Sequence, residues 1–262
     1  GSLKLRRLSM TQFLKLLFLS SLFWFSSFSY SDNHAPTFYP VEVFGCKYNE
    51  GQGLDDLLRV AEEWNRWTEN NFSKPYAAWV LVPTYVNSDS TTNDVAWIGI
   101  STSFEDLGTV QDEMASKGQR LQAKFDKVST CKDHTLWGWE MTRQSPNPTP
   151  NGNLTFSACT LNEGVTREDV LAADKKWNEY LDSINSNQGS SRWYPGSGTS
   201  NDITFDFLAV GGSSSNAEWG RGADAFVNGG GGLVQASIYG DLMTCDTNRV
   251  YQSINVKPIP AN

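Results

Sequence analysis

The sequence predicts an α+β protein made of two copies of one βαββαβ unit, and three observations predict it. Trp64-Asn65 in EEWNRW recurs as Trp177-Asn178 in KKWNEY, 113 residues later. The same offset sets Cys46 on Cys159, Asn49-Glu50-Gly51 on Asn162-Glu163-Gly164, Asp56 on Asp169 and Leu58 on Leu171, and an offset one residue longer sets Cys131 on Cys245. Strand-patterned and helix-patterned runs also follow one another in the same order in both copies. A repeat of about 110 residues is too long for a solenoid and about the size of a small domain.

In the first copy, 41–48 (VEVFGCKY) reads as a strand that breaks at Asn49-Glu50-Gly51. The glycine suits a positive φ in the strand-to-helix turn, and the acid suits the dipole of the helix that follows. From 54 to 70, Leu54, Leu57, Leu58, Ala61, Trp64 and Thr68 recur at helical spacing, which makes Trp64 a core anchor. Strands are expected at 76–83 and 94–101, a helical segment at 103–126 and a last strand at 131–141, where alternation puts Trp137 and Trp139 on one face.

The second copy repeats this more loosely, with strands near 154–160, 190–195, 202–210 and 245–256. Its first helix carries Val170, Leu171, Trp177, Leu181 and Ile184 as an apolar stripe, with Trp177 as its anchor and a capping box from Thr166 to Asp169. Gly229 to Gly232 should split its second helical region into two short helices.

The order βαββαβ is the ferredoxin-like arrangement, in which first and last strands lie side by side and antiparallel. That neighbourhood brings Cys46 to Cys131 and Cys159 to Cys245, so two disulfides are expected, each closing its own unit. The expected divisions are a signal peptide at 1–31, a mobile start at 32–40, one unit at 41–144, a proline-rich linker at 145–153 and a second unit at 154–262. The signal reading rests on Lys4, Arg6, Arg7 and Lys15 ahead of LLFLSSLFWFSSFSY and a small-x-small pattern at Ser29-Tyr30-Ser31. An uncleaved anchor is the alternative.

Once the signal is removed, the chain is expected to be a secreted or periplasmic protein with no further membrane segment. The formal charge of −8 becomes more negative when four basic groups leave with residues 1–31, which excludes nucleic acid as a partner. The four cysteines include no CxxC, and His34 and His134 form no ligand cluster, so no metal and no cofactor are expected. The sequence contains no GxSxG, Walker or HExxH pattern. The glycine-rich run 220–232 lacks the lysine of a P-loop and reads as a helix break.

The duplicated order, with its repeated C-x-x-N-E-G and W-N-x-[WY] patterns, resembles the dimeric α+β-barrel superfamily and is similar to uncharacterised exported proteins of marine bacteria. The resemblance implies two antiparallel sheets that face each other as a barrel-like pair around a pocket. It also brings in haem-dependent chlorite dismutase-like enzymes, cofactor-independent monooxygenases and muconolactone isomerase-like enzymes. The haem branch would need a proximal histidine, for which His134 is the one within a unit.

Candidate ligand contacts are Trp79, Trp97, Trp139, Trp193 and Phe205 on expected strands, with Asn65 and Asn178 beside the helix anchors. If the strand aromatics look between the sheets they line a pocket for an apolar, aromatic or sugar ligand; if they look at the helices they are core. The two asparagines either bond a neighbouring loop or strand end, or touch the ligand. Three functions follow: a small-ligand binder, a cofactor-independent monooxygenase- or isomerase-like enzyme in the same pocket, or a structural protein filled by its own tryptophans.

Overall fold

The computed structural model describes residues 38–259. The expected signal at 1–31 lies outside the described residues. So does most of the expected mobile start, but its last residues are ordered into a strand. There β1 (Tyr39–Tyr48) begins two residues early, with Tyr39 packed on Trp139 at 5.5 Å between ring centroids.

The first copy continues with α1 (Leu54–Asn71), β2 (Tyr76–Tyr85), β3 (Val95–Ser101), α2 (Phe104–Lys117), α3 (Gln119–Val128) and β4 (Ser129–Arg143). The second gives β5 (Gly152–Leu161), α4 (Arg167–Ser183), β6 (Gly189–Pro195), β7 (Phe207–Ser213), α5 (Asn216–Val227), α6 (Gly231–Tyr239), β8 (Met243–Cys245) and β9 (Arg249–Lys257). Gly51 and Gly164 stand at φ of +73° and +81°, each in the turn that leads to its unit's first helix. Thr166 and Asp169 close a reciprocal capping box at the start of α4.

Three expected elements are redrawn. The helical segment 103–126 is two helices, because Gly118 lies so close to Met114 that a Cβ there would meet the Met114 carbonyl at 2.7 Å. The last strand at 245–256 is split into β8 and β9 around Asp246, which leaves the ladder and accepts from the backbone of Ala158 at 2.7 Å. The strand expected at 202–210 begins only at Phe207, so Phe205 lies in the loop before it.

Each copy has the strand order 4-1-3-2, and the two sheets are joined at both margins, β2 to β9 and β4 to β6, all antiparallel. The result is a closed eight-stranded barrel, with β8 extending the wall beside β5. Cys46 and Cys131 stand opposite each other on β1 and β4, as do Cys159 and Cys245 on β5 and β8, and both pairs are disulfides.

Alternation sends one side of every strand into the barrel. Val41, Leu81, Ile98, Phe156, Trp193 and Val210 form the buried centre, with Trp79, Trp137, Trp139 and Tyr251 packed on it. The outer face of the first sheet is covered by α1 to α3 through Trp64, Tyr76, Ala78, Leu107, Val110 and Leu121.

Candidate functional site

The strand aromatics do not share one space. Trp79, Trp139 and Trp193 face into the barrel, and Trp193 meets Phe156 edge-on at 5.2 Å. Trp97 does not: it lies one residue out of phase with Ile98, on the helix side, at 4.9 Å from Trp64 and 5.6 Å from Phe125. Alternation along β3 dictates this, since Ile98 and Trp97 must point to opposite faces. Phe205, outside any strand, stacks parallel to Trp137 at 6.5 Å.

The two asparagines also part. Asn178 donates through Nδ2 to the Thr142 carbonyl at 2.9 Å, at the end of β4, whereas Asn65 accepts from the Lys257 ammonium at 3.5 Å. The anchors beside them differ as well. Trp64 is buried, but Trp177 is half-buried and stacks on Tyr180 at 5.0 Å, which corrects the expectation of two equivalent core tryptophans.

Under the helices of the first unit lies a polar cluster that the pattern reading did not single out. Glu42 stands between Val41 and Val43 in VEVF, so when the valines enter the barrel its carboxylate must turn outward beneath α2. It is 5 % exposed and accepts three bonds: from the Tyr76 hydroxyl at 2.7 Å, from Gln111 Nε2 at 3.0 Å and from His134 Nε2 at 2.9 Å. Trp97 Nε1 in turn donates to the Tyr76 hydroxyl at 3.2 Å.

Gly99 makes this arrangement possible, because a Cβ there would fall 1.8 Å from the Tyr76 hydroxyl. Burial, and then the charge of Glu42, holds the Tyr76 phenol well above the usual tyrosine range, so it stays a proton donor to the carboxylate. His134 is the open end of the cluster. Its side chain is 49 % exposed, and one face of its ring stacks on Phe44 at 3.8 Å. With Glu42 ionised, Nε2 carries the hydrogen and Nδ1 is left as an acceptor.

The second unit has no such cluster, since the repeat offset puts Thr155 where the first unit has Glu42. It buries instead an ion pair, Arg192 to Asp174 at 2.7 and 2.5 Å, with the Tyr239 hydroxyl donating to Asp174 at 2.7 Å. Burial works against the charge on Arg192, but Asp174 outweighs it and the guanidinium is held more firmly protonated. Nearby, Glu140 receives Arg167 and, at 3.1 Å, the Tyr194 hydroxyl. These groups are paired among themselves and close the layer between α4 and the sheet.

The residues do not fit haem. Among the described residues His134 is the one imidazole; its Nε2 is committed to Glu42, one ring face is covered by Phe44, and the cavity of about 150 Å³ beside Trp79 and the linker does not include it. A porphyrin needs an apolar slot that the imidazole faces. Nor does any group of His, Cys, Asp and Glu side chains among the described residues have the arrangement of a metal site.

No family model matches the chain, and no curated protein matches it in sequence. Solved structures do match in fold. A candidate monooxygenase from Lactobacillus acidophilus is 8 % identical, with a TM-score of 0.52 over 84 % of this chain and 94 % of that one. A heme-binding protein from Thermus thermophilus is also 8 % identical, with a TM-score of 0.50 over 85 % and 95 %. At such identity the likeness is one of architecture: two ferredoxin-like units in one chain form a dimeric α+β barrel.

Proposed function

We propose that the protein is a cofactor-independent enzyme of the monooxygenase- or isomerase-like kind, which begins its reaction by taking a proton from a small organic acid at His134. The observation that carries this reading is the buried Glu42 carboxylate set 2.9 Å behind a half-exposed imidazole. A neutral imidazole with its Nε2 hydrogen on Glu42 presents Nδ1 to solvent as a base, and the imidazolium that forms gains the carboxylate as counter-charge. Tyr76 and Gln111 hold the carboxylate in place, and the half-buried ring of Phe44 beside His134 adds an apolar edge against which a planar substrate rests.

The carbanion, or the ring carbon of the phenolate, is either reprotonated by the imidazolium at another carbon, an isomerisation, or forms a C–O bond to dioxygen, an oxygenation. In the oxygenation the resulting peroxide takes the imidazolium's proton, and its O–O bond breaks with loss of water to leave a carbonyl. A fold shared with a candidate monooxygenase is why the second outcome is named. The expectation of a ligand held centrally between the sheets has less support, because Val41, Leu81, Ile98, Phe156, Trp193 and Val210 occupy that space.

The reading is tested with a panel of hydroquinones and β,γ-unsaturated lactones, followed by oxygen uptake and by deuterium exchange in NMR. His134→Ala should abolish turnover, and Glu42→Gln should lower it by about 10²–10⁴-fold, the range for a positioned proton-transfer group. Turnover unchanged in His134→Ala would remove His134 as the base, and no turnover of any panel member by the parent protein would leave it as a scaffold filled by its own tryptophans. Two disulfides fit an oxidising compartment, so we also place its work outside the cytoplasm. No helix among the described residues is long and apolar enough to cross a membrane.

A further inference from the structure

The barrel is filled through its middle and open at one end. At that end the inward positions become small, with Gly152 on β5, Gly189 on β6, Gly212 on β7 and Ser253 on β9 beside Trp79 on β2. One step deeper on the same strands stand Leu154, Val210, Tyr251 and Leu81, which belong to the packed barrel interior. The linker crosses this mouth and is tied down on both sides. Trp79 Nε1 donates to the Pro150 carbonyl at 2.9 Å and the Asn255 amide to Asn151 Oδ1 at 2.7 Å; opposite them, Ser145 Oγ donates to the Asn187 carbonyl at 2.7 Å.

Between the linker and this rim lies a partly open cavity of about 150 Å³. Its wall is made of amides, hydroxyls, glycine backbone, prolines and a single indole, and it carries no charged side chain. A charged ligand would give up its water there without a counter-charge. Ser145, Asn147, Thr149, Asn151 and Asn153 already have partners within the protein, but the Ser213, Ser214 and Ser253 hydroxyls have none among the described residues, and a wholly apolar ligand would leave them so. A neutral polyol meets both demands, because its hydroxyls pair with the rim while its C–H face rests on the indole.

We propose that this roofed mouth binds one unit of a neutral saccharide against Trp79. The site is separate from the proton-transfer cluster: His134 is near the start of β4, and the linker leaves from that strand's end. The small residues are what keep it open. A Cβ on Gly212 would meet nothing closer than Leu154 Cδ2 at 3.6 Å, an ordinary contact, so alanine fits the fold and takes space only from the cavity.

Calorimetric titration of the whole chain with glucose, galactose, mannose and N-acetylglucosamine tests the proposal, with indole and glucuronate as the apolar and anionic comparisons. At least one neutral sugar should bind with a Kd below about 10 mM. Gly212→Ala should weaken that binding by about tenfold or more while the melting temperature holds or rises, since alanine restricts the unfolded chain. Trp79→Phe should weaken it as well. The proposal is overturned if no neutral sugar binds, if indole or glucuronate binds more tightly than every sugar, or if sugar binding survives both substitutions unchanged.

Discussion

Single residues decide both the stability and the chemistry of this molecule, and copied residues do not keep copied roles. Trp64 is 4 % exposed and surrounded by Phe72, Tyr76 and Trp97, so Trp64→Ala should cost about 3–5 kcal/mol in denaturant unfolding. Trp177 is less fully buried, and the same change there should cost less, about 2–3 kcal/mol, in proportion to the smaller area it removes from water. Asp174 sits on the buried stripe of α4 with Val170, Ala173 and Leu181, where its charge is tolerated because Arg192 meets it. Asp174→Ala leaves that guanidinium buried and unpaired, and should cost about 3–5 kcal/mol. The phenol of Tyr194 is pushed up from 10.0 to about 12, by burial first and then by Glu140. A raised value means that the folded chain keeps its proton longer than the unfolded chain. The associated stability is therefore complete below pH 10 and lost as pH rises toward 12. Unfolding measured across that window should show a shallower decline in Tyr194→Phe than in the parent. Glu42 and Asp174 were legible in principle, as charges at positions where alternation and helical period call for apolar residues. What the pattern does not reveal is whether a partner waits across the fold.

At the scale of elements, the duplication settles pairing and the local chemistry settles boundaries. One disulfide joins the first and last strands of its unit and the other joins β5 to the short β8, across sequence separations of 85 and 86 residues, so each closes a long loop in the unfolded chain. Replacing either pair by alanines should cost about 2–5 kcal/mol, a similar amount for both, because the loops are nearly equal. A markedly larger loss from one pair in thermal melting would show that the barrel depends on that unit alone. Strands at 76, 95, 129, 152 and 189 and the first helix of each unit stand close to where periodicity and turn residues put them. The misses have local causes. Gly118 packs against its own preceding turn and divides one helix into two, and Asp246 leaves the ladder to cap the backbone at Ala158. Both are contacts between residues that a periodicity window does not compare.

At the scale of the molecule, the two units share one barrel wall, since the β2–β9 and β4–β6 ladders close it and the central side chains come from both sheets. Unfolding one unit would strip two strand edges and half the barrel core from the other. Calorimetry should therefore find one cooperative transition, with calorimetric and van't Hoff enthalpies equal, and two resolved transitions would refute the shared core. The sequence by itself determined the duplication, the α+β class, the order of elements and the cysteine pairing. Those follow from spacings, and spacing along a chain is what periodicity, turn chemistry and a copied unit control. Only the tertiary structure decided that Trp97 faces the helices while Trp79 and Trp193 face the barrel, that Glu42, Tyr76, Gln111 and His134 meet, and that three glycines and a serine leave one mouth open under the linker. Each of those outcomes depends on which strand lies beside which and in what register, and a one-residue change in register reverses the face of every side chain.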